Sequence, residues 1–245
     1  MSAVTGTAAR LPDTGTAALV GALLPRSAVA SELWQDPPGP PVLFPEEERV
    51  VAAAVPARRA EFATVRLCAR RALAGLGLAP GPLLPGTAGA PRWPDGVVGT
   101  MTHCRGYRAA AVARRTDLAA LGLDAEPNEP LPQPGMLELV SLPEERGQLR
   151  SLAARRPSVC WDRLLFSTKE SVYKTWYPLT GRPLDFDEAR IDLDPAGTFR
   201  AELLVDGPVV DGIRVTAFEG RWRTGRGVVV SAVALPPPGS APAAA

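Results

Sequence analysis

The chain has 245 residues, long enough for one large domain or for two compact halves of about 100–150 residues each. Hydrophobic residues make up 46% of the chain, which supports a buried core and argues against global disorder. Lys and Arg (27) balance Asp and Glu (26), so the formal charge of +1 argues against a protein that coats nucleic acid, and an anionic ligand would need a local basic cluster.

Cysteine usage and the N-terminal composition predict the compartment. Cys68, Cys104 and Cys160 form no CxxC pair and no disulfide framework, which indicates a reducing environment. The apolar run over residues 16–24 is too short to span a bilayer and is not placed like a signal peptide. We therefore expect a cytoplasmic protein without a membrane partner.

The N-terminal half predicts two helices and two strands. Residues 1–15 are rich in small residues and are predicted to be disordered, and residues 36–41 form a Pro-rich loop. Pro45 and the acidic residues after it open one helix, and a second runs from near Pro56 to about Leu76, with Gly77 as its stop. Residues 78–96 are turn-rich, and strands follow over 97–102 and 107–113.

The C-terminal half predicts a strand over 118–123 that ends at Asp124, a Pro-rich loop, and a helix over 161–177 that stops before Pro178. Further strands are predicted over 201–205, 213–218 and 228–235, and the tail 236–245 is predicted to be disordered. Helices and strands in both halves indicate an α+β protein of two subdomains, 16–118 and 119–235.

Two carboxylates follow the strand that ends near residue 123. In extended chain Asp124 and Glu126 project to the same face, where their charges repel and one pKa would rise unless a cation sits between them. A hard divalent ion such as Mg²⁺ prefers oxygen ligands and would suit this pair. Two exposed acids at a strand end are the simpler alternative for an isolated DxE pattern.

A third carboxylate lies on the helix predicted over 161–177. Glu170 and Lys174 are four residues apart, the spacing of an ordinary ion pair on a helix surface. Their neighbours are mostly apolar and aromatic, which favours a position beside a cleft.

Candidate phosphate ligands occur on the turn at residues 100–107 and on the second helix. His103 is the single histidine, and its loop of threonines and a glycine suits hydrogen bonding to phosphate oxygens. With one histidine and no GxSxG pattern, a Ser-His-Asp hydrolase has little support. Arginine forks suit phosphate oxygens, although a solvated helix face explains this set equally well: Arg58, Arg59, Arg66 and Arg70.

Together these motifs resemble the Sfp-type 4′-phosphopantetheinyl transferases, in the subgroup like the enterobactin-synthetase component. The resemblance spans about residues 46–235 and rests on motifs in a fixed order. They are Arg58-Arg59-x-Glu61-Phe62, Val65-Arg66-x-Cys68-Ala69-Arg70, Trp93-Pro94-Asp95-Gly96, Thr102-His103-Cys104-x-Gly106-Tyr107, Gly122-x-Asp124-Ala125-Glu126 and Lys169-Glu170-x-x-Tyr173-Lys174.

The resemblance implies a fold of two similar α+β subdomains related by a pseudo-twofold axis, with coenzyme A in the cleft between them. It implies transfer of the 4′-phosphopantetheine arm of coenzyme A to a serine of an apo acyl or peptidyl carrier protein, with release of 3′,5′-ADP. Such carriers serve polyketide, nonribosomal peptide or siderophore assembly. A monomer is the simpler expectation for a chain that contains both halves.

The resemblance also implies roles for individual residues. Asp124, Glu126 and Glu170 would coordinate Mg²⁺, or Mn²⁺, together with the diphosphate of coenzyme A. Glu170 would also deprotonate the serine, directly or through water, and Lys174 would stabilise or protonate the leaving 3′,5′-ADP. The residues expected at the phosphates of coenzyme A are Arg58, Arg66 and His103, with Thr102 assisting and Lys169 near the diphosphate.

One departure from the family pattern concerns the residues before Pro91. The family commonly has a basic residue there, whereas residues 87–90 contain none, and Arg92 is a possible substitute. Two alternatives to the transferase therefore stay open. One is a metal-dependent phosphohydrolase that uses the same carboxylates, and the other is a catalytically inactive protein that binds coenzyme A or a carrier.

Overall fold

The structure is a computed structural model that describes residues 18–39, 41–237 and 239. The predicted disordered segment 1–15 lies outside the described residues, as do residues 238 and 240–245 of the predicted tail. The helices are α1 (Pro45–Val50), α2 (Pro56–Gly75), α3 (Met136–Val140), α4 (Pro143–Arg155) and α5 (Trp161–Thr180). The strands are β1 (Ala28–Leu33), β2 (Val97–Cys104), β3 (Tyr107–Arg114), β4 (Ala120–Pro127), β5 (Ala189–Asp194), β6 (Thr198–Leu203), β7 (Val209–Val210), β8 (Ile213–Arg214), β9 (Ala217–Gly225) and β10 (Val228–Leu235).

The predicted α+β class is confirmed by two antiparallel sheets that each carry one long helix. The three-stranded sheet has the order β1-β3-β2 and is covered by α2. The five-stranded sheet has the order β4-β10-β9-β6-β5 and is covered by α5. Both helices have 20 residues, so the two halves share one plan of helix on sheet. In the described part of the chain, no helix combines the length and hydropathy needed to cross a bilayer.

Helix α2 begins and ends where the sequence predicts. Pro56 occupies the first helical position, where a missing N–H costs nothing because no partner exists there. Its apolar face is buried against the three-stranded sheet, and Gly77 adopts a positive φ of 75° just beyond the helix end. The prediction of a helix from Pro56 to about residue 76 is confirmed.

Helix α5 does not stop before Pro178, and that prediction is wrong. The proline lies in the last turn, so its ring removes one hydrogen bond near the end of a helix that is otherwise well buried. Gly181 follows in the left-handed region (φ 65°), and its N–H donates to the Tyr177 carbonyl at 2.8 Å. The glycine therefore ends the helix.

Strand boundaries differ from the prediction where partner strands extend them. Strand β4 continues past Asp124 to Pro127 because β10 pairs along its whole length, from Ala120 opposite Leu235 to Pro127 opposite Val228. The strand predicted over 213–218 is divided: residues 213–214 form β8, and residues 217–218 begin β9, which continues to 225. The strand predicted over 201–205 is β6, at 198–203. Elements β1, β5, β7, α3 and α4 were not predicted.

Two threonines of β2 join the sheets. The Thr100 hydroxyl accepts the Leu123 N–H at 3.1 Å, and the Thr102 hydroxyl accepts the Ala125 N–H at 3.1 Å. These bonds satisfy backbone donors on the edge of β4 that does not face β10. Apolar side chains of β3, β4 and β10 pack in one core between the sheets. Strand β4 is therefore held from both sides.

Two short helices open with the same Pro-Glu-Glu pattern and bury its last residue. Glu47 of α1 has no exposed surface and accepts the Phe44 N–H at 3.0 Å, as in a capping box. It also accepts the Leu83 N–H at 2.8 Å and pairs with Arg70 of α2 at 3.0 Å. A single carboxylate thus ties α1, α2 and the segment before β2 together.

Glu145 of α4 repeats this arrangement in the second half. It accepts the Leu142 N–H at 2.7 Å and the Ile191 N–H of β5 at 2.7 Å. Its ion pair is with Lys169 of α5, at 2.8 Å, and both side chains are almost fully buried. The two halves therefore use one motif to join a short helix to the long helix.

Candidate active site

A cavity of about 830 Å³ separates the long helices of the two halves. Residues of α1, α2, β2 and the segment 85–93 form one wall, and Glu170, Lys174 and Tyr177 of α5 contribute to the other. Within the described residues, the lining has one carboxylate, Glu170, and several basic side chains: Arg58, Arg66, Arg92, Arg115 and Lys174. Its volume is in the range of small-molecule sites, and its charge favours a polyanion.

Helix α5 reaches β4 closely because Gly122 has no side chain. A Cβ at this position would lie 2.0 Å from the Ser171 carbonyl oxygen and 2.3 Å from Thr175 Oγ1. Both distances are far below van der Waals contact, so only glycine fits. This close approach brings Glu170 and Lys174 next to the carboxylate two residues after Gly122.

Asp124 is the buried centre of the site, with 4% of its surface exposed. Its Oδ1 accepts hydrogen bonds from Lys174 Nζ at 2.7 Å and from the Thr102 hydroxyl at 3.2 Å. Its Oδ2 is buried and has no hydrogen-bond partner among the described residues. An unpaired buried carboxylate oxygen is costly, which makes this atom a candidate cation ligand.

Glu126 lies on the same face of β4 as Asp124, two residues further along. Its Oε2 accepts a hydrogen bond from Arg163 Nη1 at 3.1 Å. Burial, and then the charge of Asp124, raise the pKa of Glu126 to about 7, although Arg163 and Lys174 oppose the shift. The pair therefore carries more negative charge than its surroundings readily stabilise.

Glu170 faces the cavity from α5. Burial, followed by the charge of Asp124, raises its pKa, and Lys174 acts in the opposite direction. Among the described residues, Lys174 forms its ion pair with Asp124, so the simpler alternative, a surface ion pair between Glu170 and Lys174, does not form. A buried carboxylate with a raised pKa is a stronger base than an exposed one.

The three carboxylates fit a divalent cation by their chemistry, although they are not arranged around a preformed metal cage. In the described part of the chain, no group of three His, Cys, Asp or Glu side chains has the arrangement of a metal site. Lys174 and Arg163 instead neutralise Asp124 and Glu126. The unpartnered Asp124 Oδ2 and the raised pKa values of Glu126 and Glu170 indicate unmet negative charge, which an oxygen-seeking cation would satisfy.

Arg58 and His103 form a pair on the cavity wall. Arg58 Nη1 lies 2.8 Å from His103 Nε2, and because a guanidinium only donates, Nε2 accepts and the ring proton is assigned to Nδ1. Burial lowers the pKa of His103, Glu61 raises it, and Arg58 adds to the lowering. The neutral ring therefore supports Arg58, whose charge faces the cavity.

Arg66 lines the cavity but is anchored at its base. Its Nε donates to the Leu83 carbonyl at 3.0 Å and lies 3.7 Å from Glu47, and its guanidinium stacks on Phe62. Burial lowers the pKa of Arg66 to about 10, which leaves it charged at neutral pH. The anchored guanidinium is positioned without the entropy cost of ordering a free side chain.

Two predicted coenzyme A ligands do not reach the cavity. Thr102 is buried, and its hydroxyl bonds Asp124 and the Ala125 N–H, so it holds the carboxylate strand. Lys169 points to the other side of α5, where it pairs with Glu145 and donates to the carbonyls of Phe186 and Ala189. This buried ion pair holds Lys169 away from the cavity, which contradicts the expectation that Lys169 lies near the diphosphate of coenzyme A.

Sequence reasoning missed Arg163, because nothing in its spacing relates it to Glu126. It also treated Arg92 only as a possible substitute for a missing basic residue. Arg92 lines the cavity, with its side chain against Gly86. The turn that precedes it, 86–90, has positive φ at Ala88 (52°) and Gly89 (77°). Arg92 thus supplies a cation from this segment.

Comparisons with known proteins cover both halves. Residues 46–113 match the family model described as the 4′-phosphopantetheinyl transferase N-terminal domain, and residues 120–226 match the 4′-phosphopantetheinyl transferase superfamily. The chain is 64% identical over 223 residues to 4′-phosphopantetheinyl transferase Svp of Streptomyces mobaraensis, covering 90% of each.

Two further relatives are less similar but align over nearly their whole length. The chain is 44% identical over 227 residues to 4′-phosphopantetheinyl transferase PptT of Mycobacterium tuberculosis, covering 89% of this chain and 98% of the relative. It is 43% identical over 225 residues to 4′-phosphopantetheinyl transferase Npt of Nocardia iowensis, covering 88% and 99%. The motifs, the two-sheet fold and these matches agree: the chain belongs to the 4′-phosphopantetheinyl transferase superfamily.

Proposed function

We propose that this protein transfers the 4′-phosphopantetheine arm of coenzyme A to a serine of an apo acyl or peptidyl carrier protein and releases 3′,5′-ADP. The observation that carries the proposal is the basic cavity, whose α5 wall places Glu170 and Lys174 beside the buried Asp124. Family membership and the three relatives, each named a 4′-phosphopantetheinyl transferase, support it. Polyketide, nonribosomal peptide or siderophore carriers are the proposed recipients.

Asp124, Glu126 and Glu170 would hold the divalent ion, Mg²⁺ or Mn²⁺, together with the diphosphate of coenzyme A. When bound, such an ion neutralises charge on the diphosphate and on the leaving phosphate. Asp124 supports this assignment with a buried oxygen that lacks a partner among the described residues. Thr102 keeps Asp124 in place through its hydroxyl.

Glu170 is the proposed base, acting directly or through water on the serine hydroxyl. Its raised pKa makes it a stronger base than an exposed carboxylate. The serine oxygen then attacks the phosphorus of the pantetheine arm, and the bond to the oxygen of 3′,5′-ADP breaks. Lys174 lines the cavity and would stabilise or protonate that oxygen.

Arg58 and Arg66 would bind phosphates of coenzyme A, with His103 orienting Arg58. Arg92 takes the part of the basic residue that this chain lacks before Pro91. Lys169 stays in its pair with Glu145 and contributes stability only.

A mass assay tests the proposal against its alternatives. The protein is incubated with coenzyme A, Mg²⁺ and an apo carrier protein, and the carrier is weighed by mass spectrometry. A gain equal to one phosphopantetheine group supports the transferase. Hydrolysis of coenzyme A with unmodified carriers would favour the metal-dependent phosphohydrolase, and binding without turnover would favour the inactive coenzyme A- or carrier-binding protein.

Substitution of the carboxylates tests the metal assignment. Glu126→Ala and Glu170→Ala should each nearly abolish transfer while circular dichroism shows an intact fold. Near wild-type transfer by either variant would contradict the assignment of that residue.

We also propose the subdomain boundaries 16–118 and 119–235, with the boundary in the connection between β3 and β4. The ranges of the two family models support this division. A monomer in the cytoplasm remains the proposed state, supported by the presence of both halves in one chain and by cysteines that form no disulfide framework.

A further inference from the structure

Arg163 lies at the start of α5, and all three nitrogens of its guanidinium donate hydrogen bonds to the end of β4 and the segment just after it. Its Nη1 donates to Glu126 Oε2 at 3.1 Å, its Nε to the Glu129 carbonyl at 3.0 Å, and its Nη2 to the Pro130 carbonyl at 2.6 Å. The side chain is only 11% exposed. A buried arginine with three fixed acceptors has a single orientation, unlike a surface ion pair.

Neighbouring residues strengthen the same attachment. Asn128 accepts the Cys160 N–H at 2.8 Å and donates to the Ser158 carbonyl at 2.8 Å. Asp162 accepts the Leu131 N–H at 2.9 Å. The segment 126–131 is therefore fastened to the first turn of α5 and to the residues just before it. Glu126 is the residue of this segment that carries a proposed metal-binding carboxylate.

We propose that Arg163 is a positioning residue: it fixes the carboxylate of Glu126, and with it the end of β4, in the orientation that binds the divalent ion. This inference rests on the proposed function, because it assumes that Glu126 is a metal ligand. Groups that hydrogen-bond a metal ligand orient it, and losing one typically costs about 10–100-fold in metal affinity or activity.

A purely electrostatic role of Arg163 predicts the opposite change in affinity for the divalent ion. If Arg163 acted only as a competing cation beside Glu126, removing its charge would strengthen the binding of a divalent ion. If it positions Glu126, removing the fork weakens binding even though a positive charge is lost. Replacement by lysine separates the two effects further, because lysine keeps the charge but cannot reproduce the planar three-acceptor fork.

The test measures Mn²⁺ binding to the whole 245-residue chain. The electron paramagnetic resonance signal of free Mn²⁺ is the readout. Arg163→Met should weaken Mn²⁺ binding about 10–100-fold, and Arg163→Lys should weaken it as well. In carrier-modification assays, the Mg²⁺ concentration for half-maximal rate should rise more than kcat falls. Arg105→Ala is the matched control, because Arg105 pairs with Glu129 of the same segment but is 73% exposed, so its loss should leave Mn²⁺ affinity unchanged.

A double-mutant cycle assigns the effect to Glu126. In a Glu126→Gln background, Arg163→Met should cause little further loss of Mn²⁺ affinity, since the carboxylate it positions is already absent. Unchanged or tighter Mn²⁺ binding by Arg163→Met, or fully additive losses in the cycle, would overturn the inference alone. Absence of Mn²⁺ binding by the unaltered chain would overturn the metal assignment together with it.

Discussion

At the scale of single residues, the sequence predicts which carboxylates share a face but not which cations meet them. The two-residue spacing of Asp124 and Glu126 was sufficient to place both on one side of β4. Their partners, Lys174 and Arg163, depend on where α5 crosses that strand, which no local pattern encodes. Lys169 was misplaced for the same reason: its neighbour Glu170 faces the cavity, and Lys169 itself faces Glu145.

His103 offers a direct test of the cavity electrostatics because it is the only histidine in the sequence. Its pKa should lie below the ordinary value of 6.5, fall further in Glu61→Gln and rise in Arg58→Met. Nuclear magnetic resonance titration of the single imidazole measures all three. An imidazole pKa at or above 6.5 in the unaltered chain would contradict the burial and the contact with Arg58.

The same shift sets the sign of a pH effect on stability. A lowered pKa means that the unfolded chain binds this proton more tightly than the folded chain. The contribution of His103 is therefore present above pH 6.5 and is lost as the pH falls through 6.5 towards the folded-state pKa. Denaturant unfolding of His103→Gln should show a weaker loss of stability on acidification than the unaltered chain shows.

At the scale of elements, helix starts were predictable where a proline begins an apolar face. Pro56 begins α2, and the apolar residues that follow pack as a continuous stripe on the sheet. The hydrophobic pattern of the sequence and the structure therefore agree here. Helix α4 begins with the same kind of signal, at Pro143, but buries few apolar side chains, among them Leu149 and Leu152, and was missed. Strand β1 was missed because none of its residues is fully buried, so it shows no alternation.

The contact of α5 with β4 predicts opposite results for two glycine substitutions. Gly122→Ala should lower the free energy of unfolding by at least about 1–3 kcal/mol and impair transfer, because the added Cβ would overlap the Ser171 carbonyl. Gly147→Ala, inside α4, would bring its Cβ only into ordinary contact with Arg150 Nη2, at 3.9 Å, and should stabilise the protein by about 0.5–1 kcal/mol. Denaturant unfolding curves compare the two, and equal effects would contradict the close approach.

At the scale of the whole molecule, the two halves share the contacts of a buried glutamate, but they share no sequence repeat long enough to be recognised. Phe44-Pro45-Glu46-Glu47 and Leu142-Pro143-Glu144-Glu145 share only Pro-Glu-Glu, which is too short to stand out as an internal repeat. In the structure, each final glutamate caps its helix, bonds a distant backbone N–H and pairs with a cation on the long helix. The likeness lies in the contacts, so it could not be predicted from composition or period.

The buried pair of the second half predicts a stability effect without a binding effect. Lys169→Met should cost about 3–5 kcal/mol, because it leaves Glu145 buried without its cation. The KM for coenzyme A of the folded fraction should stay close to that of the unaltered chain. The control is Arg190→Ala, which breaks an exposed pair with Glu202 and should cost less than about 1 kcal/mol. A large rise in KM with unchanged stability would return Lys169 to the binding site.

The threonine hydroxyls that bond the edge of β4 have a consequence for motion. A cleft between two halves commonly works by hinge closure, which needs an interface that can slide or open. Here the hydroxyls of Thr100 and Thr102 fasten the sheets at the strand that carries the carboxylates, and a common apolar core backs them. Opening would leave the backbone N–H groups of Leu123 and Ala125 without their acceptors, so the halves should move as one rigid body. The substrate then enters a groove that is already formed, and its rate of capture should depend on charge and ionic strength rather than on a closing step.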